Sequence, residues 1–132
     1  MDKILDTAFL MLEGSTVTLE IFCVTLALSL PLGFFVALGR LSRSRILGRL
    51  IDFYIWVMRG TPLMLQLLFV YFALPMIGIK LSDLSAAFLA FVLNYAAYFA
   101  EIFRAGIQAV PRGQYEAARV LGMSYPLALR RI

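Results

Sequence analysis

Three long stretches of this sequence carry no charged residue, and their lengths decide what the chain can become. Ile21 to Gly39 spans 19 residues, Gly60 to Ile79 spans 20 and Leu84 to Ala100 spans 17. Coiled at about 1.5 Å per residue, each reaches roughly 25 to 30 Å, the thickness of a bilayer's hydrocarbon core. A water-soluble chain of 132 residues with 62% apolar or aromatic side chains would be left with too little polar surface. The bilayer is therefore the expected solvent. The fold class that follows is all-α: an integral membrane helical bundle with spans at about 17–39, 61–79 and 84–103.

Charge supports this and sets a direction. Arg40, Arg43, Arg45 and Arg49 crowd the first connection without an acid, and Arg104, Arg112, Arg119, Arg130 and Arg131 follow the third run against Glu116. The second connection carries Lys80 and Asp83, and the N-terminal flank carries Asp2, Asp6, Glu13 and Glu20 against Lys3. Arginine marks the cytoplasmic side, so the N-terminus is expected outside and the tail inside. The acidic flank also argues against a cleavable signal peptide, whose first region is basic. The formal charge of +4 lies beside the spans and does not point to nucleic acid. A single Cys23 inside the first run offers no disulfide framework, and the absence of histidine removes the commonest general base and metal ligand. No cofactor or metal is expected on this chain.

Residue preferences divide the chain further. Pro31 and Gly33 fall inside the first span; proline would kink it, and Gly33 with Ala37 makes a small-xxx-small pair that lets another helix approach. Leu50 to Met58 reads as a short interfacial helix with Tyr54 and Trp56, broken at Arg59-Gly60-Thr61-Pro62. Thr61 is expected to cap the next helix, with Pro62 at its first position. Ser82 or Asp83 should cap the third span, on which Asn94, Tyr98 and Glu101 share one face at i, i+4 and i+7. Glu101 and Arg104, three apart, could pair. Asn94 is either a lining residue or a hydrogen-bonding link to another helix, because a lone amide in apolar helix needs a partner. Arg59 either faces a cavity beside the break or extends to the headgroups.

Beyond the third span, Val110-Pro111-Arg112-Gly113 is a turn, Gln114 to Leu121 a short helix, and Gly122 a left-handed closing residue. Ser124 can cap a second short helix with Pro126 in its first turn. A helix-bend-helix over about 110–132 on the cytoplasmic side would suit a soluble partner, although an ordinary loop would also satisfy these preferences.

The spacing Glu116-Ala117-Ala118, three residues, Gly122, nine residues, Ile132 resembles the E-A-A-x3-G-x9-I signature of bacterial ABC importer permeases. R-G-T-P-L at Arg59 to Leu63, A-E-I-F-R-A-G-I at Ala100 to Ile107 and V-P-R-G-Q-Y-E-A-A at Val110 to Ala118 are similar to the polar amino acid branch of that family. The resemblance runs from roughly Gly14 to the end. It implies that residues 1–132 are the N-terminal portion of one transmembrane domain, in a family whose members have about five spans. It also implies a second permease subunit, the same or related, an extracytoplasmic substrate-binding protein, and a cytoplasmic ATPase that uses ATP and receives the Glu116–Gly122 loop. Glu116 would then supply polar contacts, Ala117 and Ala118 close approach, Gly122 the bend, and Ile132 the isoleucine of a signature that runs on to I-x-L-P. Thr61, Asn94, Tyr98 and Glu101 are the candidates for the substrate path. The rival readings are a fragment of a secondary transporter and a membrane-anchored interaction or channel subunit. Neither requires the Glu116 to Ile132 spacing. An enzyme is disfavoured by the lack of a G-x4-G-K-[S/T] loop and of any paired metal-ligand pattern.

Overall fold

A computed structural model describes the backbone of residues 2–132 and the side chains from residue 5 onward. Its elements, all helical among the described residues, are α1 (Asp2–Arg40), α2 (Arg45–Gly60), α3 (Leu63–Met76), α4 (Asp83–Ala109), α5 (Arg112–Val120) and α6 (Tyr125–Arg131). α1 and α4 are each long and apolar enough to cross a membrane, while α2 and α3 qualify only as a pair bent by 104°. By length and composition two helices can cross a membrane, or three segments if the bent α2–α3 pair counts as one. The stretch 61–79 is not a span by itself: α3 has 14 residues, or about 21 Å, short of a hydrocarbon core of roughly 30 Å.

α1 and α4 run side by side in the same direction and form the frame. Thr25, Ser29 and Ala37 of α1 are buried, as are Ala86, Ala90, Ala96, Ala97 and Ala100 of α4. Small residues four apart remove the bulk that would keep two helix backbones separated. Gly33 marks the tightest point, where an added Cβ would lie 2.6 Å from Phe99 Cβ and 2.9 Å from the Ala96 carbonyl oxygen. Ile55 of α2 packs with Ala37, Ala97 and Ala100, bordered by Ile51, Tyr54, Met58 and Phe103. Large apolar side chains such as Phe35, Trp56, Phe69 and Phe72 point outward instead. A small-residue interior with an apolar exterior is what a helix bundle in lipid requires, because the solvent is as apolar as the core.

The interfacial helix expected over Leu50–Met58 begins earlier, at Arg45, because the Ser44 hydroxyl accepts a hydrogen bond from the Leu47 N–H at 3.4 Å and caps it. The Thr61 cap is corrected. Pro62, extended at φ −63° and ψ 135°, is the residue before α3, and Thr61 closes α2. A residue before proline is driven out of the helical region, so the chain leaves α2 at Thr61 and re-enters a helix only after Pro62. Ser82 caps α4 by accepting from the Ser85 N–H at 3.3 Å, and Asp83 occupies the first turn. α4 continues to Ala109, past the expected end of the span at 103, carrying Glu101, Arg104 and Gln108 beyond the apolar run.

Candidate functional site

The polar residues of the apolar region gather at the break between α2 and α3. Proline has no N–H, so Pro62 cannot satisfy the Met58 carbonyl four residues earlier. Two amides do so instead. Asn94 Nδ2 donates to Met58 O at 3.0 Å and to Gln66 Oε1 at 2.9 Å. Gln66 Nε2 donates to Met58 O at 2.9 Å, to Thr61 Oγ1 at 2.7 Å and to Thr61 O at 3.3 Å. The Thr61 hydroxyl donates to Val57 O at 2.8 Å, and Tyr54 donates to the Leu93 carbonyl at 2.5 Å. Asn94, only 4% exposed, is the link that fastens the broken pair to α4. Gln66 completes the joint and was missing from the sequence-based candidates. Its signal was present, as the sole amide in the uncharged run from Gly60 to Ile79.

Two turns along α4, Glu101 gathers cations from three helices. Its carboxylate meets Arg104 at 2.8 Å, Arg40 from the end of α1, and Arg59 from the end of α2 at 3.7 Å. Arg40 also reaches Asp52 at 2.5 Å, and Arg104 donates to Gln108 as well. Three guanidiniums thus share two carboxylates, and Glu101 is the central one, its side chain 19% exposed. Arg59 is the most loosely held of the three: 43% exposed, it lies over the Tyr98 ring at 5.3 Å. The face carrying Asn94, Tyr98 and Glu101 is therefore continuous, as the spacing predicts, and meets α2 along its length. Thr61 and Asn94 are joined through Gln66 at the N-terminal end of this face. Tyr98 and Glu101 come together through Arg59. The Glu101–Arg104 pair is present, while the participation of Arg40 and Asp52 depends on folding that no local spacing reports.

The third constellation is the helix-bend-helix. Gly122 adopts φ +72°, with its N–H bonded to Arg119 O and that of Met123 to Ala118 O, both at 2.9 Å. This paired closure ends α5 and fixes the angle to α6. The Tyr115 hydroxyl donates to Ile107 O at 3.2 Å and ties α5 to the end of α4. Glu116, Ala117 and Gly122 are exposed, and Ile132 is exposed at the far end. Ala118 is buried, on the inner side of the bend beside a cavity of about 390 Å³ that Tyr115, Met123 and Tyr125 help to line. Val120 and Leu121, 89% and 75% exposed, form an apolar tip next to Gly122 that the motif does not single out.

The sequence profile described as "binding-protein-dependent transport system inner membrane component" matches residues 29–132. The chain belongs to this family. As an inner-membrane component it is a membrane protein, and the matched region takes in the joint, the ion cluster and the helix-bend-helix. It is 47% identical over 115 residues to the arginine transport system permease protein ArtQ of Bacillus subtilis, covering 86% of this chain and 52% of that one. It is 41% identical over 122 residues to the putative glutamine transport system permease protein GlnP of Rickettsia conorii, covering 92% and 56%. Among solved structures it is similar to a chain of an amino acid ABC transporter described with histidines, with a TM-score of 0.76 and 37% identity. That match covers 92% of this chain and 60% of the solved one. The chain spans about half the length of the curated relatives it matches.

Proposed function

We propose that the chain is part of the permease subunit of a binding-protein-dependent ABC importer for polar amino acids, and that its helix-bend-helix docks on a cytoplasmic ATPase. The supporting observation is the closure at Gly122, which holds Glu116, Ala117, Val120 and Leu121 outward on a short rigid unit braced to α4 by Tyr115. An exposed apolar tip flanked by a carboxylate is a surface made for a protein partner. In this reading the membrane is crossed several times with the N-terminus outside, ATP is used by the separate ATPase, and this chain binds no cofactor. A second permease subunit and an external substrate-binding protein complete the assembly. Ala118 acts within the bend, packing it from inside, while Glu116 and Ala117 face the ATPase. Ile132 belongs to the same docking element.

The substrate path runs along the α4 face that bears Tyr98 and Glu101. Thr61 and Asn94 act at the break, where they hold α2 and α3 to that face. Names of the relatives, an arginine and a glutamine permease among them, support polar amino acids as the substrate class. The test is Gly122→Val in the assembled importer. A side chain in the left-handed region costs about 1–2 kcal/mol, more when β-branched. Substrate-stimulated ATPase activity and uptake should fall at least about tenfold, the factor that about 1.4 kcal/mol represents. Membrane insertion should be unchanged. Wild-type uptake by an inserted Gly122→Val protein would sink the coupling role.

A further inference from the structure

α1 is far longer than a membrane crossing needs. Its 39 residues extend about 58 Å, against a hydrocarbon core of roughly 30 Å. The uncharged run from Ile21 to Gly39 fills that core by itself, and Ile21 is also where the other helices begin to cover α1. Every residue from Leu5 to Glu20 is exposed, including Leu5, Phe9, Leu10, Met11 and Leu12, with Phe9 at 72% and Met11 at 71%. Holding the whole helix within the core would take a tilt near about 60°, beyond the observed range of roughly 0–40°. It would also sink Glu13 and Glu20 into hydrocarbon. Carried straight on into water, the extension would leave several large apolar side chains wet, which the hydrophobic effect opposes.

The pattern around the helix decides what covers it. Asp6, Glu13 and Glu20 follow one another at seven-residue spacing, and at 3.6 residues per turn they form a ridge only about 40° wide. Apolar residues are spread over the rest of the circumference, with Phe9 and Leu10 flanking the ridge and Ala8, Met11 and Leu12 farther round. One neighbouring helix would cover a stripe of roughly 100° and leave much of this surface in water. A bilayer surface covers all of it except a ridge turned outward, and it continues the lipid-facing side of the same helix. Between extension and span lies Gly14-Ser15-Thr16-Val17-Thr18. Here the Ser15 hydroxyl donates to Met11 O at 2.7 Å, Thr16 to Glu13 O at 2.5 Å and Thr18 to Gly14 O at 3.0 Å. Hydroxyls bonded back onto the preceding turn weaken a helix and let it bend, and glycine adds to this.

We propose that residues 5–13 form an interfacial helix lying in the headgroup layer on the side where α1 begins, hinged to the span at Gly14–Thr18, with Asp6 and Glu13 turned to water. The inference rests on the membrane location alone and is independent of what the importer carries. Its test uses the assembled importer in phosphatidylethanolamine–phosphatidylglycerol vesicles, with exposed Cys23 replaced by serine. A nitroxide is placed singly through Asp6→Cys, Ala8→Cys, Met11→Cys or Glu13→Cys, four surface positions of which any one pair from opposite faces is decisive. Oxygen accessibility relative to a water-soluble nickel chelate should be severalfold higher at Ala8 and Met11 than at Asp6 and Glu13. Ala8 and Met11 should also share one depth, about 5–10 Å into the interface. Equal nickel accessibility at all four positions would mean a helix projecting into water and would overturn the proposal. Exclusion of both reagents at Ala8 and Met11 would mean a protein partner covers the segment, and would overturn it as well.

Discussion

Helix α1 and the α2–α3 pair both pack on α4, small residues dominating the first contact and polar groups the second, although Arg40 of α1 also reaches Glu101 and Ile55 of α2 packs on Ala97 and Ala100. α1 lies against α4 through missing side chains: Gly33, Ala37 and the alanines of α4 let the backbones touch. α2 and α3 are fastened to α4 by polar groups, the Asn94–Gln66 amides at the break and the Glu101 carboxylate below it. A contact made of shape has one arrangement, because close-packed surfaces do not deform continuously. A contact made of hydrogen bonds and ion pairs can exchange one set of partners for another. The contrast makes α1–α4 the frame, and the broken pair the place where the proposed transport cycle would change the structure.

The sharpest way to break this contrast is to put bulk into the frame. At Gly33 a Cβ would already collide with a backbone carbonyl and with Phe99 Cβ, neither of which can swing aside. Gly33→Leu should therefore cost more than the usual overpacking range of about 1–3 kcal/mol and abolish recovery of monodisperse protein in detergent. Gly14→Leu, where an added Cβ meets nothing within 4 Å, should be recovered normally. Equal yields for the two variants would show that the α1–α4 contact is not shape-limited.

The next largest effect is expected at Glu101. Removing it in Glu101→Ala leaves Arg40 with Asp52 and takes from Arg59 and Arg104 the carboxylate they pair with. Breaking a buried pair by deleting one partner costs about 3–5 kcal/mol, and the partial exposure of this cluster puts the expectation near the lower end. Thermal unfolding of the purified assembly should show a clear drop in midpoint, with Arg59→Ala much closer to wild type because Arg59 is the most exposed member. If Arg59→Ala were as damaging as Glu101→Ala, the cluster would not be centred on the carboxylate.

How much of this could be read beforehand follows from the range of each interaction. The long apolar helices α1 and α4 were legible because lipid imposes a length on uncharged runs. The α4 face was legible because Asn94, Tyr98 and Glu101 lie within two turns, and Gly122 because helix closure is local. Gln66 was not, since a single amide carries no periodicity and its partner Asn94 is 28 residues away. Arg40 and Asp52 read as parts of a basic connection and a short helix, and only packing brings them to Glu101. The cap at the break slipped by one residue because Thr61 and Pro62 both suit a helix start. What decided it was the obligation of the Thr61 hydroxyl to Val57, made inside α2.

The smallest of the expected effects tests the joint. Asn94→Ala removes two hydrogen bonds but leaves Met58 O with its second donor, Gln66. The cost should therefore stay within about 1–3 kcal/mol, the range for a buried polar group losing its partner. Gln66→Ala should cost a similar amount, since Asn94 can still serve Met58 O. The two losses should not add. With both amides gone, the Met58 carbonyl, which Pro62 cannot satisfy, has no donor, so the double variant should be worse than the sum of the singles by about 0.5–3 kcal/mol. Uptake then separates the roles: a joint that only holds the break should lower the amount of assembled importer and leave the apparent KM unchanged. A KM that rises in Asn94→Ala at normal abundance would instead make Asn94 a lining residue, and the joint would belong to the path itself.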